Sequence, residues 1–147
     1  MTSVLVKHLM STQVVTFFAE QTLPLAEDVM KYKHVRHLPV IDEDGRVVGL
    51  VSHRDLLAAQ ISSRSSMTSD ERRTLQDGVR VGEIMTRELW TVGPNVPASV
   101  AAATLHDHKF GCLPVIDDDG RLVGIITEHD FLRFATKVLE HTDWPGS

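Results

Sequence analysis

The sequence predicts a mixed α/β (α+β) protein made of two tandem β-α-β-β-α repeats packed as a pseudo-twofold module. Three observations point there. The chain of 147 residues falls onto itself without a gap when shifted by 75 positions. Each copy runs through a β-rich stretch, a helical pattern, a glycine-turned hairpin and a second helical pattern in the same order. Neither copy can hold a comfortable core alone, because below roughly 80 residues a single core is marginal.

The repeat is carried by specific blocks. VKHLMS (Val6–Ser11) lands on VGEIMT (Val81–Thr86), and Thr16 lands on Thr91. LPVIDEDGRVVGLVSHRDLL (Leu38–Leu57) lands on LPVIDDDGRLVGIITEHDFL (Leu113–Leu132). The expected organisation is repeat one over 1–61, a linker over 62–78, repeat two over 79–140 and a tail over 141–147.

Each element has a local reason. Val14–Phe17 and Leu89–Val92 are β-rich and read as first strands. Helices are expected from about Thr22, with Leu25, Val29 and Met30 at helical spacing, and from about Pro97, with Val100, Thr104 and Leu105. Proline near a helix start is tolerated because those N–H groups lack intrahelical partners. Leu38–Ile41 and Arg46–Val51 form a hairpin around Asp42-Glu43-Asp44-Gly45, where glycine permits positive φ. Asp117-Asp118-Asp119-Gly120 repeats that turn. These acids read as a solvated turn, since the spacing and closing glutamate of a calcium loop are missing. Phe131, Phe134, Ala135 and Val138 make an apolar stripe on the last helix, matched in copy one by Leu56, Leu57 and Ile61. The polar stretch Ser62–Gly78 reads as the linker, with a short helix expected over Thr68–Gln76.

Composition excludes several classes. An apolar fraction of 42% and a charged fraction of 24% are those of a soluble globular protein. A net charge of −5 argues against nucleic acid or an anionic membrane as the main partner. The single cysteine, Cys112, fits a reducing cytoplasm and a role as a small buried hydrophobe. The N-terminus lacks a secretory signal pattern and no stretch is long enough to span a bilayer, so a cytoplasmic location is expected.

The chemistry concentrates in Gly49-Leu-Val-Ser-His-Arg-Asp55 and its echo Gly124-Ile-Ile-Thr-Glu-His-Asp130. Ser/Thr-x-x-Asp at a strand-to-helix junction is a capping box. The same junction offers free N–H groups to an anion. The in-strand glycine marks a close approach by a ligand or by another backbone. An aspartate there can accept hydrogen bonds from two sugar hydroxyls. Capping and nucleotide binding are therefore compatible at Ser52/Asp55 and at Thr127/Asp130.

Taken together, these motifs resemble a pair of CBS domains, of the free-standing bacterial type. The resemblance covers the chain except the linker and the tail. It implies a module that dimerises and whose clefts take adenosine-containing ligands: AMP, ADP, ATP, S-adenosylmethionine or NAD-type molecules. Asp55 and Asp130 would then bind ribose, and Ser52 and Thr127 phosphate or ribose. Thr16 and Thr91 would lie near the adenine. Arg36 and His37, which stand where copy two has Gly111 and Cys112, are candidate phosphate cations, as are Arg54 and His129.

Charge separates the copies. Up to Thr74 there are nine Lys/Arg and nine Asp/Glu, and beyond it six and eleven. The cluster Lys31, Lys33, His34, Arg36, His37 supplies the contrast. It reads either as a helix end whose cations favour the dipole or as a phosphate-attracting rim. Unequal sites are expected, a polyphosphate-preferring one that uses the copy-one cations and a weaker or empty one. Phosphate-binding and nucleophile-elbow motifs are absent, so an enzyme is not expected. His106-Asp107-His108 is a poor chelate and reads as a polar helix end. The expected role is a regulatory sensor signalling to a target protein. The alternatives are an interaction scaffold with vestigial clefts, or a metal-responsive module.

Overall fold

The computed structural model describes residues 3–62 and 78–146. Copy one comprises α1 (Val6–Leu9), α2 (Leu23–Lys33), β1 (His37–Ile41), β2 (Val47–Ser52) and α3 (His53–Ser62). Copy two comprises α4 (Val81–Ile84), α5 (Ala98–His108), β3 (Cys112–Ile116), β4 (Leu122–Thr127) and α6 (Glu128–Leu139). The expected linker helix Thr68–Gln76 and the side chain of Ile61 lie outside the described residues.

The hairpins form as the sequence predicts. β1 pairs antiparallel with β2, setting Leu38 opposite Val51 and Val40 opposite Gly49. β3 and β4 repeat this with Leu113 opposite Ile126 and Val115 opposite Gly124. Gly45 and Gly120 take φ of 84° and 83°, which a β-carbon would disfavour. The turn acids serve their own backbone: Asp42 Oδ1 accepts from the N–H groups of Asp44 (2.9 Å) and Arg46 (3.0 Å). Asp117 does the same for Asp119 and Arg121. The two turns also meet across the pseudo-twofold axis. Arg46 Nε donates to the Asp119 carbonyl at 2.9 Å and Arg121 Nε to the Asp44 carbonyl at 3.0 Å. Their backbones pair as well, with the Leu122 N–H on the Gly45 carbonyl at 3.0 Å.

Three expectations are corrected or narrowed to one of their alternatives. First, the opening strands shrink to single parallel bridges, Phe17 to Val40 and Val92 to Val115. The rest of each segment has another task. It crosses between the copies. Val6 of α1 is fully buried with Ala101, Leu105, Leu113, Val115 and Ile126 of copy two. Val81 and Met85 are buried with Leu38, Val40 and Val51 of copy one. A four-residue helix cannot persist alone, so each opening helix is held by the other copy's core. Second, the in-strand glycines face protein. A β-carbon on Gly124 would meet Met10 Sδ at 2.7 Å and the Ser11 carbonyl at 2.9 Å, and one on Gly49 would collide with Met85. The close approach is that of the crossing segment, and Ser11 and Thr86 bridge to Ile125 and Leu50 there. Third, Leu25 and Val100 are 43% and 50% exposed. Met30 and Leu105 are buried as expected, joined by Leu23 and Ala26 on α2 and by Ala98 and Ala101 on α5. That 3–4 spacing is the face each helix turns to its sheet. Among the described residues, no helix is long and apolar enough to cross a membrane.

Candidate functional site

Because each opening segment leaves one copy's sheet and joins the other's, the two segments enclose a space between the repeats. Ser11–Val15 runs from β4 towards β1, and Thr86–Trp90 runs from β2 towards β3. With the N-termini of α3 and α6 they border a cleft of about 1320 Å³. Arg36, His37, Ser52, Arg54, Asp55, Thr127, His129 and Asp130 all line it. Thr16 and Thr91 do not. They stand beside Phe17 and Val92, where each segment has already joined its sheet, and their neighbours Val15 and Trp90 face the cleft instead.

In copy one the capping box is reciprocal. The Ser52 N–H donates to Asp55 Oδ2 at 2.8 Å, and the Asp55 N–H donates to Ser52 Oγ at 3.1 Å. Asp55 Oδ1 has no hydrogen-bond partner among the described residues. In copy two the Thr127 N–H donates to Asp130 Oδ2 at 2.8 Å and the Thr127 hydroxyl donates to the same oxygen at 3.3 Å. Here Oδ1 is occupied: Arg133 Nη2 donates to it at 2.6 Å. Asp130 is only 5% exposed.

Arg133 was not anticipated. Its signal was in the sequence, since it lies three residues after Asp130 on the same helix face and the 75-residue shift places Ala58 at that position in copy one.

The junction before each hairpin breaks the symmetry. The imidazole of His37 lies against Gly111, where a β-carbon would stand 2.7 Å from Cε1 and Nε2. The copy-one histidine thus reaches across to copy two and requires a glycine there. Burial holds His37 below its ordinary 6.5, against the opposing pull of Asp55 and Glu128 and with help from Arg36. Without ligand His37 therefore favours the uncharged form more than an exposed histidine does. Burial also pushes the Cys112 thiol up to about 12, which fits a small hydrophobe beneath the cleft.

His108 is more than a polar helix end. Its ring lies 4.3 Å from that of Trp90 and stacks at 5.3 Å on Phe110. Trp90 and Phe110 line the cleft, and copy one has Val15 and Val35 in their places. Among the described residues, no group of three or more His, Cys, Asp or Glu is placed to hold a metal ion.

Comparison with known proteins bears on this arrangement. The CBS domain model matches residues 6–62 and 81–137. A CBS domain-containing protein of Dictyostelium discoideum is 34% identical over 137 residues, covering 93% of this chain and 94% of that protein. Inosine-5′-monophosphate dehydrogenase of Mycobacterium tuberculosis is 32% identical over 138 residues, and there the chain spans only 23% of the enzyme's length. AcuB of Vibrio cholerae superposes with a TM-score of 0.81 at 34% identity, covering 95% of this chain and 97% of that one. CBSX2, solved with AMP, gives 0.77 at 30% identity and covers 91% and 97%. The CBS domain pair of protein MJ0100, solved with 5′-methylthioadenosine and S-adenosylmethionine, gives 0.76 at 26% identity and covers 92% and 98%. Two family matches in tandem, on two copies of one hairpin-and-helix unit closing a shared cleft, make this chain a member of the CBS-domain family, with two such domains in tandem.

Proposed function

We propose that the chain is a regulatory sensor that takes adenosine-containing ligands in the cleft between its repeats and signals their presence to a partner protein. One observation carries the reading. Asp55 presents an unused carboxylate oxygen beside the Ser52 hydroxyl at a helix N-terminus, inside a cleft large enough for a nucleotide. A carboxylate for two sugar hydroxyls next to N–H groups suited to an anion is the chemistry of a nucleoside phosphate. AMP in CBSX2 and S-adenosylmethionine in protein MJ0100 support the ligand class.

Within this reading Asp55 and Asp130 bind ribose, while Ser52, Thr127 and the exposed Arg36, Arg54 and His129 meet the phosphates. Trp90 and Phe110 offer the adenine an aromatic wall in copy two. The module works in the cytoplasm as a homodimer and is not itself an enzyme. Ligand acts by its differential affinity for two arrangements of the repeats. The crossing segments are the natural moving parts, because each belongs to both cores.

Thermal unfolding with AMP, ADP, ATP, S-adenosylmethionine and NADH tests the proposal. A true ligand at a hundred times its dissociation constant adds about 2.7 kcal/mol of stability. No shift with any of them would leave an interaction scaffold as the better reading.

A further inference from the structure

The two ribose-binding candidates differ in one bond. Asp55 has an oxygen to spare, whereas both oxygens of Asp130 are engaged, Oδ1 by Arg133 at 2.6 Å. Arg133 lines the cleft and its side chain is 55% exposed, so it can leave Asp130 without unfolding anything. Ala58 stands at the equivalent position of α3 and can form no such bond.

Resting on the nucleotide reading above, we infer that Arg133 is a specificity residue that makes the copy-two half of the cleft require an anionic ligand. Ribose hydroxyls approaching Asp130 compete with the guanidinium for Oδ1. An uncharged nucleoside wins the carboxylate only by leaving Arg133 without its counter-charge. A nucleotide supplies a phosphate to which the displaced guanidinium can turn, and arginine pairs with phosphate in a fork geometry. The exchange is then one charged hydrogen bond for another. Copy one has no latch of this kind, so an uncharged adenosine compound meets no such penalty there, and its preference for phosphate rests on Arg36 and Arg54 alone.

Titration calorimetry with AMP and with adenosine separates the cases. The copy-two half is read in an Asp55→Asn background, which weakens ribose binding in copy one. The AMP-to-adenosine affinity ratio there is expected to fall about tenfold on adding Arg133→Ala, the size of one charged hydrogen bond discounted for exposure. Adenosine should bind more tightly and AMP less so. The mirror test installs the latch: Ala58→Arg in an Asp130→Asn background should raise the ratio for copy one by a similar factor. A ratio that moves less than twofold in both tests, with AMP still bound, overturns the inference and leaves the nucleotide reading standing. Failure of the wild-type protein to bind either compound overturns the inference, and the nucleotide reading falls with it only if ADP, ATP, S-adenosylmethionine and NADH also leave thermal unfolding unmoved.

Discussion

The two Ser/Thr-x-x-Asp corners begin from the same motif and end in different states. At Ser52 the hydroxyl and the carboxylate cap the helix reciprocally and one carboxylate oxygen remains available. At Thr127 the carboxylate is buried and held by a cation one helical turn further on. The cap is common to both corners. What differs is the side chain three residues after the aspartate, arginine in one copy and alanine in the other. A repeated motif therefore supplies the frame, and the residues around it decide what that frame holds.

Several changes would break or sharpen this contrast. The largest effect is expected at the glycines that admit the crossing segments. Gly124→Ala drives a methyl group into the Ser11 carbonyl, which is backbone and cannot swing aside, whereas Gly49→Ala meets the side chain of Met85. Chemical denaturation should show Gly124→Ala losing about 1–3 kcal/mol and Gly49→Ala less. Equal losses would mean that the two crossings are equally tight.

The aspartates should separate next. Asp130→Asn removes the partner of Arg133 from a buried site and should cost about 1 kcal/mol of stability without ligand. Asp55→Asn should change stability little while weakening ribose binding by roughly tenfold or more. Matching losses of stability and binding for Asp55→Asn would return that corner to capping alone.

A pH dependence follows from His37. Its folded pKa lies below its ordinary 6.5 because it is buried, so the unfolded chain takes up the proton first. The stability it contributes is complete above about 6.5 and declines as the pH falls through the folded value. The facing groups are Asp55 and Glu128, which resist the decline, and Arg36, which adds to it. His37→Gln should flatten the stability curve between pH 6.5 and lower pH, as followed by thermal unfolding. A curve of unchanged slope would place the titration elsewhere.

The smallest effect is at Cys112, whose raised pKa leaves almost no thiolate at pH 8. Iodoacetamide should label it only under denaturing conditions, as intact-mass measurement would show.

Much of this was legible in the sequence. The shift of 75 residues, the hairpins and the starts of α2 and α5 were all read from pattern. The exchange of α1 and α4 was not. Apolar spacing in VKHLM reports that Val6 is buried but not in whose core, and only a three-dimensional arrangement decides that. The opening strands misled for a related reason. Val14–Phe17 has strand composition, but a segment that must span two sheets can bridge only once to each. The lowered pKa of His37 was not legible either, because sequence carries no measure of burial. Arg133 is not marked by the shared motif, because it stands outside Ser/Thr-x-x-Asp at a position where copy one has Ala58.

The contact between His37 and Gly111 has a consequence for how such a chain can change. Exchange of sequence between tandem copies tends to make them alike. Writing copy one over copy two would require Gly111→Arg and Cys112→His. The new β-carbon at 111 would then enter the space that the His37 ring holds. The second imidazole, related by the axis, would press on residue 36 in the same way. Homogenisation in this direction meets a steric barrier, whereas writing copy two over copy one removes the His37 ring and meets none. The inequality of the two ends of the cleft can therefore be lost in one direction only, by giving up the copy-one histidine.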